Sequence, residues 1–509
     1  MKAKFDNDVL KSEKFHIERG KSYLERKEYK KSEMEFKKAI RINPESEDAH
    51  FELGKVYYMQ KQYHFAIEEL EKTKKMNPQN NNTYLFLAKI YKITRKFDLA
   101  LEEIKHVLND SQLSFETKKE LNDIYPEYIN GIRSYNFRGN YEKVREKAEE
   151  IYGLIPQDDI FSRNKLLSEL EIAQKKLILS SKMKNLIVTL STRCNLNCTM
   201  CEEIRIRWEI PKRTLQEIIS FFPYLERVVW QGGEVFLLNY FADLVNDASK
   251  FPNLRQVITT NGLLIDRKWA EKLVKSNVDL TFSIDGLTKQ VYEGIRKGAK
   301  FETLIRNLRY FNKLRKQYAP LLNINLHVVV MKSNYHQLEE FIDFAKEYEF
   351  KLLALLPIGG NLDSPENIFY FKDEKALSFI EKTIPRIKEK AEKYGILLEN
   401  RLPVTKKENL PNASKTTPII TNNTNFNNKM LCHLPWIQLF IDYDGSIRPD
   451  CVCRPEESIG NVLENSLAEV WNNEKMQLYR KKIIDNCCNE ICNSECTEDR
   501  VSERYLKFS

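Results

Sequence analysis

No cysteine occurs before residue 194 in a chain of 509 residues, and the ten present fall into two groups, at 194–201 and 432–496. Cysteines so gathered in a reducing compartment are poor candidates for structural disulfides, which excludes a disulfide-stapled scaffold. No run approaches the roughly 20 apolar residues of a membrane span, and the opening MKAKFDNDVLKSEKF carries no apolar signal region. We therefore expect a cytoplasmic protein with no membrane partner. Charge of one sign is also scarce: 81 Lys and Arg stand against 73 Asp and Glu, a formal +8. That balance is too mild and too mixed to mark a nucleic-acid binder, and none is expected as a partner. What is present, 42% hydrophobic and 30% charged residues, suffices for several buried cores, about two to four domains at this length.

The cysteine-free N-terminal third repeats. Displacement by 34 residues superposes Gly20 on Gly54, Tyr23 on Tyr57, Phe36 on Leu70 and Pro44 on Pro78. A third unit carries Leu87, Ala88, Tyr91, Ala100 and Ile104, and a weaker fourth has Tyr135, Val144, Ala148 and Pro156, with an insertion near 110–117. This period and order resemble the tetratricopeptide (TPR) repeat, whose stacked helical hairpins leave a groove for an extended peptide or partner helix. We assign residues 1–157 to an all-α TPR solenoid and 158–182 to a capping and linker helix.

From residue 183 to 400 short apolar runs alternate with amphipathic stretches, the pattern of a parallel βα array. Six strands are expected at 186–190, 227–231, 256–260, 280–283, 324–330 and 351–357, a partial (β/α)6 TIM barrel with its reactive groups at the C-terminal strand ends. The first strand runs into STRCNLNCTMC, which places Cys194, Cys198 and Cys201 in a Cys-x3-Cys-x2-Cys loop. Three thiolates can hold three irons of a [4Fe–4S] cubane and leave the fourth iron open to a chelating ligand. Zinc would need a fourth donor, and only Glu202 and Glu203 are near. The second strand ends in Gly232, Gly233 and Glu234, the third in TTNG (Thr259 to Gly262, with Thr260 and Asn261), and the fourth in SIDG from Ser283. On the fifth, Asn323, Asn325 and His327 alternate with apolar residues and point inward, making His327 a weak catalytic candidate.

These motifs resemble the radical S-adenosylmethionine (SAM) enzymes. The resemblance implies a SAM-chelating [4Fe–4S] cluster on Cys194, Cys198 and Cys201, reductive cleavage of SAM to a 5′-deoxyadenosyl radical, and a flavodoxin- or ferredoxin-type reductant. It further implies cofactor contacts from Gly232, Gly233, Glu234, Thr260, Asn261 and Ser283, with Arg296 on the methionine carboxylate as a bidentate partner. A solvated helix-end charge is the alternative for Arg296.

Residues 401–429 read as a linker. Beyond it, 430–509 hold Cys432, a strand, an Asp-Gly turn, a strand into Cys451 and Cys453, a helix, and CCNEICNSEC. This order, with Pro435, Trp436, Gly445, Trp471 and Asn472, resembles the SPASM or twitch extension, which carries auxiliary clusters. Asp450 stands where that branch has its first post-turn cysteine; Val452 takes the place of the Asp base that formylglycine-generating relatives carry, and Asp450, the nearest carboxylate, is a weak base candidate. One auxiliary [4Fe–4S] cluster on Cys432, Cys451, Cys488 and Cys492 is the first assignment, and Cys453, Cys487 and Cys496 remain rivals. Together these resemblances imply an enzyme that crosslinks, epimerises or oxidises a peptide or protein recruited through the TPR groove. The alternatives are an enzyme acting on a sugar or cofactor precursor, and a non-catalytic iron–sulfur scaffold.

Overall fold

The computed structural model describes residues 2–94, 96–108, 115–201, 207–359, 363–403, 432–450, 453 and 458–485. The chain forms two compact units, Met1–Gln174 and Lys175–Ser509.

The first unit is helical throughout: α1 Lys2–Glu25, α2 Tyr29–Ile42, α3 Glu47–Met59, α4 Tyr63–Met76, α5 Asn81–Ile93, α6 Phe97–Leu108, α7 Phe115–Phe137, α8 Tyr141–Tyr152 and α9 Ile160–Ala173. Helices pair in sequence, and the small residues of the repeat explain how closely. A Cβ on Gly20 would stand 2.6 Å from the ring of Phe36, and one on Gly54 would stand 2.8 Å from Leu70 Cγ. The Ser32 hydroxyl donates to Gly20 O at 2.8 Å, so the first hairpin is bonded where the second is only packed. The break in period between Tyr91 and Tyr135 corresponds to α7, which has 23 residues where α3 and α5 have 13. Its extra length meets α9 through a buried ion pair, Arg133 Nε to Glu169 Oε1 at 2.8 Å, and Asn136 donates to the other carboxylate oxygen at 2.9 Å.

The second unit is built on one open sheet. Its strands are β1 Asn185–Thr189, β2 Arg227–Gln231, β3 Arg255–Thr260, β4 Asp279–Ser283, β5 Ile324–Val329, β6 Leu352–Leu356, β7 Leu397–Asn400, β8 Gln438–Ile441 and β9 Ser446–Arg448. The order across the sheet is β9, β8, β1, β2, β3, β4, β5, β6, β7, with the short pair Gly460–Asn461 beyond β9. From β8 to β7 every pairing is parallel, while β9 runs antiparallel to β8. Parallel strands covered by helices read as apolar runs, which is why β1 to β6 stand out in the sequence. Two parallel members are not placed by the sequence: β7 reads LLEN, too short for a period, and β8, expected as a strand of the C-terminal extension, returns to pair with β1.

That extension is joined to the segment before β1 by large buried side chains. Trp436 Nε1 donates to Lys176 O at 2.8 Å and Trp471 Nε1 to Ser181 O at 2.7 Å. Arg480, fully buried, donates to the carbonyls of Leu177, Pro435 and Trp471 at 2.5, 3.0 and 2.7 Å. The expected Asp-Gly turn joins β8 to β9, with Gly445 at φ +80°. Cys451, Cys487, Cys488, Cys492 and Cys496, most of the 401–429 linker, and Glu202 with Glu203 lie outside the described residues.

Candidate active site

The C-terminal ends of β1 to β4 present, in order, the cysteine loop, Gly232 to Glu234, Thr260 to Gly262, and Ser283 to Gly286. The first two are locked together. Gly233 N donates to Ser191 O at 2.7 Å and Glu234 N to Arg193 O at 2.8 Å. A Cβ at Gly232, whose φ is +141°, would lie 2.3 Å from Ser191 O, and one at Gly233 would lie 2.2 Å from Arg193 O. Glycine is required here because two backbones meet with no room for a side chain.

Glu234 is buried and ties the second motif to the third. Its carboxylate accepts from Thr260 Oγ1 at 2.9 and 3.1 Å and from Asn261 N at 2.9 Å. Burial pushes this carboxyl up to about 7, against the pull of those hydrogen bonds. Asn261 Nδ2 continues the chain of contacts to Asn195 Oδ1 at 2.8 Å, inside the cysteine loop. Glu234, Thr260 and Asn261 are thus one hydrogen-bonded group.

On its other side the loop pairs with the segment that follows β4. Asn197 and Cys198 run antiparallel to Lys297 and Arg296, and Thr199 N donates to Ile295 O at 3.0 Å. Arg296 is consequently 7% exposed, which overturns the solvated helix-end reading. Its Nη2 lies 2.6 Å from Asp285 Oδ2 and its Nη1 lies 3.9 Å from Cys198 Sγ. Its Nε is buried with no hydrogen-bond partner among the described residues. Cys194, Cys198 and Cys201 are half-buried. Burial raises the Cys194 thiol and pushes Cys198 up to about 11, with the Arg296 guanidinium opposing the shift in both. Met200 packs against the apolar cluster of Ile295, Met331 and Ile358.

The remaining cofactor candidate, Ser283, and the weak candidates His327 and Asp450 take no part in the hydrogen bonds described above. Ser283 closes β4 and is in register with His327 on β5, which faces Ala354 on β6. Burial pushes His327 down to about 4, so it is neutral near pH 7. Asp450, 3% exposed, accepts from Gln438 Nε2 at 2.5 Å in the extension. Sequence reasoning missed Asp285 and Asn334. Asp285 accepts from Val329 N at 2.7 Å, and Asn334 Nδ2 donates to Asp285 O and Val329 O at 2.9 and 2.8 Å. The only hint lay in the Asp of SIDG, followed about 11 residues later by an Arg.

The donor set fits an iron–sulfur cluster. Three thiols share one short loop fixed by backbone on both sides, and a buried guanidinium with an unused donor stands beside them, suited to an incoming carboxylate. Among the described residues no three His, Cys, Asp or Glu side chains converge as the ligands of a single metal ion. The fold and site define an iron–sulfur α/β protein with a helical-repeat arm.

Its family follows from comparison. Residues 188–345 match the Radical SAM superfamily, 432–497 match the SPASM iron–sulfur cluster-binding domain, and 20–61 match the TPR repeat. The chain thus contains a radical SAM domain, a SPASM iron–sulfur cluster-binding domain and a TPR repeat, and the first two imply a SAM-associated [4Fe–4S] cluster and an auxiliary cluster. Among known proteins, a cysteine-type anaerobic sulfatase-maturating enzyme of Clostridium novyi is 26% identical over 203 residues, 35% of this chain and 52% of that protein. A GTP 3',8-cyclase of Synechocystis is 27% identical over 224 residues, 41% of this chain and 66% of that protein. The chain thus spans about half to two thirds of the curated relatives it matches. The structure of Streptococcus suis SuiB bound to precursor peptide SuiA aligns over 72% of this chain and 84% of that one, at 15% identity and a TM-score of 0.45.

Proposed function

We propose that the chain is a maturase that modifies a peptide or protein side chain by radical chemistry, with the repeat unit as its recognition arm. The observation that carries this reading is the face of α1, α3 and α5. Phe51 and Tyr58 of α3 make edge-to-face contacts with Phe86 of α5, with centroids 5.5 and 5.9 Å apart. Lys55 and Lys89 lie over the rings of Phe51 and Phe86 at 5.6 and 4.9 Å. Lys21, Lys55 and Lys89 recur at the period of the repeat, one to each of these helices. Half-buried aromatic faces flanked by cations suit an extended peptide carrying apolar and acidic side chains. The sulfatase-maturating relative acts on a protein, which supports the same substrate class.

In this reading Cys194, Cys198 and Cys201 hold the SAM-associated cluster, and Cys432 with Cys451, Cys488 and Cys492 holds the auxiliary one. Bound together, cluster and SAM supply the one-electron cleavage that starts hydrogen abstraction from substrate. The chain's own part is positional. Gly232 and Gly233 fix the neck of the cysteine loop, Glu234 holds Thr260 and Asn261 against it, and Arg296 keeps one donor for the methionine carboxylate. Ser283 and His327, level on adjacent strands, line the approach to substrate. A flavodoxin- or ferredoxin-type donor in the cytoplasm supplies the electron.

Anaerobic reconstitution tests the chemistry: about eight irons should fall to about four in the Cys194→Ala/Cys198→Ala/Cys201→Ala protein, with loss of 5′-deoxyadenosine formation. Lys21→Glu/Lys55→Glu/Lys89→Glu in the full chain tests the recognition arm. Loss of peptide processing with substrate-free deoxyadenosine formation retained supports it, and undiminished processing rejects it. The likeness to a GTP 3',8-cyclase favours a second reading, a nucleotide-sized substrate, to which those lysines would be indifferent.

A further inference from the structure

We propose that Asp285 and Arg296 form a positioning pair whose opposed charges set the reduction potential of the cluster on Cys194, Cys198 and Cys201. The inference rests on the cluster assignment above. Its starting point is a backbone constraint. The ladder pairing Cys198 with Arg296 leaves the arginine no freedom to withdraw from the loop, and its Nη1 stands 3.9 Å from Cys198 Sγ. The fork's other arm is held by Asp285, fully buried, at 2.6 Å. Asp285 is fixed in its turn by Val329 N on its other oxygen, at 2.7 Å. Asn334 clamps the carbonyls of both Asp285 and Val329, so the anchor belongs to the C-terminal end of the sheet and not to a loose loop.

Such a pair has a calculable sign. A reduced cluster carries one more negative charge than an oxidised one, so a nearby cation and a donor to a ligand sulfur favour reduction, and a nearby anion opposes it. As a pair the two charges largely cancel. Either one alone, in a site that excludes water, would not.

The test is an EPR-monitored redox titration of reconstituted full-length protein without SAM, following the signal that the Cys194→Ala/Cys198→Ala/Cys201→Ala variant lacks. Asp285→Asn keeps an acceptor for Val329 N and leaves the guanidinium unopposed, so the potential should rise. Arg296→Gln leaves the carboxylate unopposed, so it should fall. Each shift should reach at least tenfold in the reduction equilibrium, about 59 mV for one electron. The double variant should return towards the wild-type value. If Arg296→Gln loses its irons, Arg296→Lys, which keeps the charge but not the reach to sulfur, should still lower the potential. Unchanged potentials, or shifts of the same sign, overturn the proposal and leave the cluster assignment intact. A wild-type protein that binds no iron overturns both.

Discussion

Replacing Glu234 by Gln should change the way stability of the second unit depends on pH. The carboxyl is 1% exposed, and it accepts from the Thr260 hydroxyl and from the backbone N–H groups of Asn261 and Phe236. Burial lifts its proton affinity from an ordinary value of 4.5 to about 7. Between those values the folded chain holds a proton that the unfolded chain has released, so stability is full below about 4.5 and is lost as pH rises towards 7. Two and a half decades at ~1.4 kcal/mol each make the ionised carboxylate cost roughly 3 kcal/mol above that window. Gln keeps an oxygen for Asn261 N and bears no charge at any pH. Urea unfolding of the cofactor-free protein should therefore show Gln gaining on Glu by roughly 2 to 3 kcal/mol between pH 5 and pH 8. Tryptophan emission is the right probe, because Trp208, Trp230, Trp269, Trp436 and Trp471 all lie in Lys175–Ser509. A Gln-minus-Glu difference equal at both pH values would refute the reasoning.

Further outcomes follow from contacts described above. Gly233→Ala places a methyl 2.2 Å from Arg193 O, so the neck of the cysteine loop must retreat. About 1–3 kcal/mol of stability should be lost together with iron uptake, checked by urea melts and iron counts. Arg133→Met removes the cation paired with the buried carboxylate of Glu169 and leaves it the Asn136 amide; it should destabilise the helical unit by about 3–5 kcal/mol, visible in far-UV circular dichroism before any change in tryptophan emission. Arg480→Ala removes the donors to three buried carbonyls. It should cost about 3–5 kcal/mol, with the tryptophan transition, not the helical one, moving to lower urea.

Much of this was legible because local patterns and global structure agree. The 34-residue displacement reveals the paired helices, since each repeat needs a small residue where Gly20 meets Phe36 and Gly54 meets Leu70. The six strands β1 to β6 were visible because burial on both faces writes an uninterrupted apolar run. The strand β8 was visible as a strand but not as a neighbour of β1, since pairing across about 250 residues leaves no mark on either segment. Arg296 is the most instructive case. Its sequence neighbours, Glu293, Lys297 and Lys300, suggest a solvated helix end. Its burial comes instead from Asp285 at the start of the same β4–β5 connection and from a ladder with Cys198, partners 11 and about 100 residues away.

The pairing of β8 with β1 also bears on how the protein is made. The strand that launches the cysteine loop has one edge satisfied by β2 and the other by residues synthesised some 250 positions later. While the ribosome is still delivering the intervening chain, β1 has an open, apolar edge, the kind of surface on which nascent chains stick to one another. Completion of the sheet therefore waits for residue 441. A nonsense mutation in the linker would do more than delete an auxiliary domain: it would leave the radical domain with an unsealed edge, and the truncated product should collect in inclusion bodies instead of persisting as a half-functional enzyme.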